Sequence, residues 1–300
     1  MLGLAGFGFI LFSLVQAIRD GTGVSVELLI AAIVVLIPLR LLALGAIAVR
    51  WRAWLVLGGS SPVSIAWALY VNTVANFFGA ITFGTAARDA YRAGTSVASG
   101  HTLQRSVAAT ALDSISGAAT QGVLAIALTL ALTTGVAALP VIPLMAFAAV
   151  IVVLPPIITS KRNPRGLKGF LGVERSVRTF AVKAGRPALT RTLLVSIAVT
   201  LVRVGAFAAG VFLTARMVGS PLDVGDALAI GLIQSAVQFV PWVLQGIGLH
   251  DASLFGALVL FGVPPPEAAT VTVAVRASLL VAALIGGVWY LRERVRPVPN

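Results

Sequence analysis

The sequence predicts an all-α, polytopic integral membrane protein with about six full spans and two re-entrant hairpins. Hydrophobic residues make up 58% of the 300 residues and charged residues only 11%. The mean hydropathy of +1.00 is typical of membrane proteins rather than soluble ones. The net charge of +12 comes from cations that flank apolar segments. Two further apolar segments are broken by polar residues, glycine or proline, which favours irregular backbone over a straight span.

A transmembrane helix needs roughly 20 apolar residues, and six segments come close to or exceed that length. The predicted full spans are 1–18, 26–48, 106–134, 138–159, 190–217 and 268–291. No basic residue precedes the first of them, so it is predicted to be a membrane helix rather than a secretory signal. We expect the whole chain, 1–300, to be a single transmembrane domain.

The segment 63–87 is the first predicted re-entrant hairpin. Its interruptions are Asn72, Asn76, Gly79 and Gly84. If it crossed the membrane, the arginines before it and those after it would face opposite compartments. As a hairpin it leaves all of them on the cytoplasmic side: Arg50, Arg52, Arg88, Arg92 and Arg105. This arrangement satisfies the positive-inside rule and predicts a multi-pass protein of the cell membrane with cytoplasmic N- and C-termini.

The segment 224–262 is the second candidate hairpin. It is apolar but broken by Pro241, Gly246 and Gly248. A re-entrant hairpin and two short spans both leave the next loop on the same side, so both interpretations remain open. The two candidate hairpins would enter from opposite faces, which indicates an inverted repeat of the kind found in many transporters.

The basic segment 165–186 is predicted to be an amphipathic helix lying on the cytoplasmic leaflet. Anionic lipid headgroups explain the positive charge better than nucleic acid does, because the cations lie beside apolar spans. The chain has no cysteine, which excludes disulfides and thiolate metal sites. It also has no phosphate loop, H-E-x-x-H or G-x-S-x-G, so we predict no enzyme activity, cofactor or metal.

Charged residues on polar helix faces are the candidate site. Asp113, Arg203 and Arg276 each lie on a face of small and polar residues spaced three and four apart. A charge near mid-bilayer costs at least about 2.5–3.5 kcal/mol and usually faces a partner or water. Two interpretations follow: the arginines bind a substrate, or Asp113 or Asp251 neutralises them in structural pairs. Arg40 is expected to snorkel towards the inner face.

The sequence Gly246-Ile-Gly-Leu-His-Asp251 predicts a non-helical turn and a helix that restarts near His250. The free N–H groups of that helix would suit an anion such as a lipid phosphate. The alternative is that Asp251 caps the same groups, which would exclude an anion there.

Two patches resemble a known family. The first is Asn76 with Gly84-Thr-Ala-Ala-Arg88 and then Asp113, similar to Asn…Pro…Gly-[Asp/Glu]-x-x-Arg and a later Glu-Arg-x-x-Asp. The second runs from Pro241 through Gly246-Ile-Gly-Leu-His-Asp251 and Phe261-Gly-Val263 to Ala268 and Arg276. Together they resemble the flippase-like transmembrane domain of lysylphosphatidylglycerol synthases and their stand-alone relatives. The departures are Thr85 in place of an acid, Asp251 in place of Glu, and Ala109-Thr110 in place of Glu-Arg.

The resemblance implies a lipid flippase. From their placement in the chain we predict that its headgroup groove is lined by a small set of residues: Arg203, Arg276, Arg88, Asp113, Gly246, Gly248 and Asp251. Its expected partners are membrane lipids, namely an anionic or aminoacylated phospholipid or a lipid-linked glycan, and a separate lipid-modifying enzyme. Synthase activity is not expected, because the synthase domain would follow the membrane part. Two other functions remain open: a transporter of a small soluble anion, and a membrane partner that does not transport.

Overall fold

The computed structural model describes residues 25–57, 63–82, 84–134, 184–237 and 249–294, with three isolated positions nearer the N-terminus. The described residues form eight helices, and no strand occurs among them. The helices are α1 (Val26–Leu57), α2 (Ile65–Ile81), α3 (Thr85–Ala98), α4 (Leu103–Thr134), α5 (Arg186–Met217), α6 (Val224–Val237), α7 (Leu249–Leu260) and α8 (Pro265–Arg294). Three of them, α1, α5 and α8, are long and apolar enough to cross a membrane.

Four predicted spans each coincide with one long helix. The segments 26–48, 106–134, 190–217 and 268–291 fall within α1, α4, α5 and α8. The largest difference is in α1, which continues to Leu57 and so places Arg50 within the helix rather than in a loop. The segments 138–159 and nearly all of 1–18 and 165–186 lie outside the described residues.

Helices α2 and α3 pack on each other and extend beyond the predicted hairpin 63–87; re-entry into a membrane stays a prediction. The hydroxyl of Ser64 accepts a hydrogen bond from the backbone N–H of Trp67 at 3.1 Å and begins α2. Gly84 has φ 66°, a conformation that favours glycine, and turns the chain into α3. The Trp67 and His101 rings are 6.5 Å apart, so the hairpin begins and ends at one end of the bundle.

Arg88 and Arg92 were expected in a loop on the cytoplasmic side. The structure contradicts the loop, and the side of the membrane stays a prediction. Both residues lie in α3, the return arm of the hairpin, and Arg92 is only 1% exposed. The reason is physical: α3 is too polar to be recognised as a buried helix by its hydropathy, but its polar side chains find partners inside the bundle.

The segment 224–262 contains α6 and α7. The amide of Gln234 lies 2.9 Å from the Ser253 hydroxyl and joins the two helices. Leu222 before α6 and Val263 after α7 belong to one buried apolar cluster, so the two ends of the segment lie close together. Residues 238–248 lie outside the described residues, and both interpretations of 224–262 therefore stay predictions.

The two halves of the bundle have matching helices and matching neighbours. In each half two long helices enclose a pair of short ones. The first long helices of the two halves, α1 and α5, pack on each other. The last long helix of the first half, α4, packs on α5 and α6. The last long helix of the second half, α8, packs in the same way on α1 and α2. The contact of Trp54 with Ser196 at one end, and of Leu36 with Gly210 towards the other, shows that α1 and α5 are antiparallel.

Apolar clusters close the α1–α5 pair at both ends. Leu36 of α1 packs in one cluster with Val211 of α5, and Trp54 of α1 packs in the other with Leu189 of α5. On α8, Gly286 lies directly on the backbone of α2: a Cβ there would lie 2.7 Å from the Thr73 carbonyl carbon. Small residues allow such close helix contact in membranes. The polar side chains lie between the two clusters.

The hairpin geometry predicts that the loops before α2 and after α3 face the same compartment. Single cysteines replacing Ser60 and Ser99 in this cysteine-free chain should therefore react alike with a membrane-impermeant maleimide. We expect both to be protected in intact cells and both to react after permeabilisation, since both loops are predicted to be cytoplasmic.

A cysteine replacing Asp223, in a loop predicted to be external, is the control and should react in intact cells. If only one of the two test positions reacts in intact cells, α2 and α3 do not return to the same side.

Candidate functional site

The centre of the polar site is the Asp113 carboxylate on α4. It accepts a hydrogen bond from Arg50 Nε at 2.6 Å and one from Arg92 Nη1 at 3.1 Å. Asp113 is 0% exposed and Arg92 1% exposed. One carboxylate therefore joins the first long helix, the return arm of the hairpin and α4. The predicted polar face of α4 is confirmed as buried at Asp113 and at Thr110.

Arg92 is held by a second set of partners on the hairpin. Its Nη2 donates to the Asn72 side-chain oxygen on α2, and its Nη1 lies 3.4 Å from Asp89. The guanidinium carbon also lies 5.8 Å from the centre of the Trp51 ring, a favourable cation–π position. These contacts offset the cost of burying a guanidinium.

Gly117 is what allows Arg50 to reach its carboxylate. A Cβ at Gly117 would lie 2.8 Å from the Arg50 Cζ atom, closer than non-bonded carbon atoms approach. The guanidinium lies in the space that the missing side chain leaves on α4, and its Nη1 donates to Thr200 on α5 at 3.1 Å. Gly117 is four residues from Asp113 and Thr200 is three from Arg203, so both lie on the predicted faces of small and polar residues, and here they contact the same side chain.

A second buried ion pair joins α7 and α8. Arg276 Nε donates to Asp251 Oδ1 at 2.9 Å, and Arg276 Nη2 donates to Oδ2 at 2.6 Å. This parallel geometry is the strong bidentate form of the arginine–carboxylate pair. Asp251 lies in the first turn of α7, as predicted. Arg276 thus forms the ion pair with Asp251 that one of the two interpretations expects, and its role towards a substrate stays a prediction.

Arg40 lies beside this second pair, inside the bundle. Its Nε donates to the Ser278 hydroxyl at 3.4 Å, and its guanidinium carbon is 5.4 Å from the centre of the Phe207 ring. Phe207 also lies beside the His250 ring, with the two ring centres 6.3 Å apart. Arg40 therefore has partners on α5 and α8, and the expectation that it snorkels towards the inner face stays a prediction.

Arg203 lies on α5 between two residues that contact the two ion-paired regions. Thr200 accepts a hydrogen bond from Arg50 Nη1 at 3.1 Å, and the Phe207 ring lies under the Arg40 guanidinium. Arg88 lies at the edge of the site, with its Nε 3.2 Å from Asp89. The polar residues of the two halves thus form one continuous region.

Cations outnumber carboxylates in this region, which we call the polar core. Among the described residues its arginines are Arg40, Arg50, Arg88, Arg92, Arg203 and Arg276. Its carboxylates are Asp89, Asp113 and Asp251. The other acids of the described segments lie near helix ends: Glu27, Asp223, Asp226, Glu267 and Glu293. Buried charge of one sign is costly unless an anion or water compensates it.

The structure brings most of the predicted site residues together. Arg88, Asp113 and Arg203 lie in one part of the polar core, and Asp251 and Arg276 form a pair in the other. Gly246 and Gly248 lie outside the described residues, so their predicted turn stays a prediction.

Sequence reasoning missed the roles of several side chains: Arg50, Arg92, Asn72, Asp89, Trp51 and Trp54. A signal was available for α1, because Arg50, Trp51 and Trp54 continue its buried face at helical spacing. Both indoles donate hydrogen bonds to buried hydroxyls, Trp51 to Thr110 and Trp54 to Ser196.

Replacing Gly117 with alanine tests the close approach of Arg50. The added methyl group should push the guanidinium away from Asp113 and lower the free energy of unfolding by about 1–3 kcal/mol, the usual cost of overpacking. Gly122→Ala on the same helix is the matched control, since no atom lies within 4 Å of a Cβ there. Alanine at position 122 should leave the free energy of unfolding unchanged or raise it by up to about 1 kcal/mol.

Thermal unfolding midpoints of both purified variants in one detergent provide the measurement. Equal midpoints for Gly117→Ala and Gly122→Ala would contradict the contact between Arg50 and α4.

Comparison with known proteins identifies the family of this chain. The sequence model of a family described as the lysylphosphatidylglycerol synthase TM region matches residues 1–287. No curated protein and no solved structure matches the chain. The family match spans well over half of the sequence and includes every helix of the polar core. The chain therefore belongs to the family of lysylphosphatidylglycerol synthase transmembrane regions.

Proposed function

We propose that this protein is a lipid translocase that moves a phospholipid or lipid-linked headgroup between leaflets through the polar core. Membership of a family of membrane regions from lipid-modifying proteins supports a role at lipids. The headgroup would pass among the arginines while the acyl chains stay in the hydrocarbon. Such a path lowers the barrier that hydrocarbon presents to a charged headgroup.

The observation that carries the proposal is the surplus of arginine over carboxylate deep in the bundle. Among the described residues the polar core holds six arginines and three carboxylates. An anionic group in the polar core would compensate the positive charge that remains. A phosphodiester suits this place, since the planar fork of arginine can donate two hydrogen bonds to phosphate oxygens.

Within this proposal the predicted site residues have two roles. Arg203 and Arg88 bind the headgroup, and the ion pairs of Asp113 and of Asp251 with Arg276 hold the helices that form the walls. Gly246 and Gly248 are proposed to allow a non-helical turn at membrane depth. Anionic phospholipids, aminoacylated phospholipids and lipid-linked glycans all carry the phosphate that this chemistry would recognise.

The internal symmetry supports movement between two faces. We infer an inverted repeat from the matching helix lengths, the matching neighbours and the antiparallel course of α1 and α5. Transporters built this way place their substrate site near the bilayer midplane, between the repeats. Arg203 lies near the middle of α5, where the two repeats meet.

Lipid movement by the purified protein in liposomes tests the proposal. Wild-type protein should expose a fluorescent phosphatidylglycerol on the inner leaflet to an external quencher, and protein-free liposomes should not. Arg203→Gln should slow this by about 10- to 100-fold, because hydrogen bonds to charged groups contribute about 1.5–3 kcal/mol. Arg203→Lys should fall between them, since it keeps the charge but loses the fork.

Arg216→Gln is the matched control, because Arg216 is an exposed residue near the end of the same helix. Thermal stability must be measured on the same preparations. Passage of radiolabelled inorganic phosphate without lipid movement would instead indicate a transporter of soluble anions. Absence of both activities in stable wild-type protein would indicate a membrane partner that does not transport.

A further inference from the structure

Among the described carboxylates of the polar core, Asp89 is the partly exposed one. Its side chain is 26% exposed, whereas Asp113 and Asp251 are at most 2% exposed. It follows Arg88 in α3, and the Arg88 side chain is 21% exposed. An acid beside a proposed phosphate-binding arginine needs a physical reason, because its charge weakens the attraction for an anion.

Three side chains fix the orientation of the Asp89 carboxylate. Its Oδ2 accepts a hydrogen bond from the Ser114 hydroxyl on α4 at 2.8 Å. Its Oδ1 accepts from Arg88 Nε at 3.2 Å and from Arg92 Nη1 at 3.4 Å. The same Arg92 nitrogen donates to Asp113 at 3.1 Å, so Asp89 is joined to the buried ion pairs. The carboxylate is therefore held in place although part of its surface is accessible.

The contact with Asp89 uses one nitrogen of the Arg88 guanidinium. The terminal nitrogens, Nη1 and Nη2, carry four more N–H donors. Among the described residues these two nitrogens have no hydrogen-bond partner. Arginine uses such a pair of donors to bind two phosphate oxygens at once. The bond from Nε thus fixes the plane of the guanidinium and leaves its terminal fork available.

The main effect of this bond is on orientation rather than on stability. A partly exposed ion pair between neighbouring residues contributes little to the free energy of unfolding. A free arginine side chain, however, loses much rotamer freedom when it binds a ligand. Ordering the side chain before the ligand arrives removes that loss from the binding step and strengthens binding.

We propose that Asp89 is a positioning residue: anchored by Ser114 and Arg92, it holds the Arg88 guanidinium in the orientation that binds a phosphate group. Asp89 does not contact the phosphate itself. A series of hydrogen bonds runs from Asp113 through Arg92 and Asp89 to Arg88, so the buried ion pairs support the accessible binding group. The inference rests on the proposed function for the part that Arg88 plays in lipid movement, but phosphate binding tests it directly.

Charge and orientation predict opposite effects of Asp89→Asn. The substitution removes a negative charge from a region with more arginines than carboxylates, so electrostatic attraction alone would tighten phosphate binding. Loss of orientation would weaken binding, since a neutral amide holds a guanidinium less strongly than a carboxylate does. We expect binding of dihexanoylphosphatidylglycerol to the purified protein to weaken about five- to tenfold. Glu27→Gln is the control, because Glu27 is an exposed acid in the first turn of α1.

Ser114 provides a second test that leaves every charge in place. Ser114→Ala removes the anchor on α4 and should weaken phospholipid binding about threefold. Ser114→Thr keeps the hydroxyl and should bind as wild type does. Gln104→Ala is the matched control, at an exposed position of the same helix. Equal binding by the alanine and threonine variants would contradict the anchoring of Asp89.

A double-mutant cycle distinguishes positioning from a general structural role. Arg88→Gln should weaken phospholipid binding about tenfold or more. Adding Asp89→Asn to it should change binding no further, because Asp89 acts through Arg88. Full effects of both substitutions in the double variant would overturn the proposal, as would tighter binding by Asp89→Asn alone. If Asp89→Asn lowers the thermal midpoint so far that the protein unfolds, the Ser114 variants decide.

Inorganic phosphate, phosphate-free dihexanoylglycerol and a transport assay identify the ligand. Dihexanoylglycerol should not bind. Inorganic phosphate that binds as tightly as the lipid, with the same variant pattern, would keep the role of Asp89 and assign the position to a free anion. Transport of fluorescent phosphatidylglycerol is measured in liposomes with the same variants.

The two measurements separate a failure of positioning from a failure of the proposed function. The expected binding pattern without lipid movement by the wild-type protein would keep the role of Asp89 and reject the translocase. Lipid movement by the wild type, with unchanged binding in Asp89→Asn, would keep the translocase and reject positioning. Stable wild-type protein that binds neither phospholipid nor inorganic phosphate would reject both.

Discussion

Burial of the Asp113 carboxylate between two arginines constrains everything else in the first half of the bundle. Removing charges from water costs several kcal/mol per ion, and close, well-oriented partners are needed to offset it. Arg50 can reach Asp113 only because α1 continues to Leu57 and because Gly117 has no side chain. Arg92 can reach it only because α3 folds back along α2 after Gly84. The hairpin and the long helices are thus oriented by one carboxylate.

In the second half a buried ion pair also joins the short return helix to the last long helix, but the acid and the arginine have exchanged places. There the short return helix α7 carries the acid, Asp251, and the last long helix carries the arginine, Arg276. In the first half the return helix carries Arg92 and the last long helix carries Asp113. In both halves, therefore, a buried ion pair joins the return helix to the last long helix, although the acid and the base lie on opposite members of the pair.

Hydropathy predicted the long apolar helices, and the helical spacing of polar residues predicted their polar faces. The long helices and the buried position of Asp113 could be anticipated, since apolar length and three-to-four spacing depend only on local sequence. The partners of Asp113 could not, because Arg50 and Arg92 follow or lie beyond the most apolar segments and hydropathy places them in loops. Which arginine meets Asp251 depends on how α7 packs on α8, a tertiary contact that spacing alone does not specify.

The departures from the family pattern are compensated by neighbouring residues. Thr85 lacks the acid usual at its position, but Asp89 follows one helical turn later and accepts from both Arg88 and Arg92. Where the pattern has Glu-Arg, this chain has Ala109 and Thr110, both buried, and Thr110 accepts a hydrogen bond from the Trp51 indole. Replacing an acid and a base together leaves the net charge of the polar core unchanged. The excess of arginines over carboxylates in the polar core therefore depends on the total charge that the helices contribute, and not on which residue occupies any single position of the family pattern.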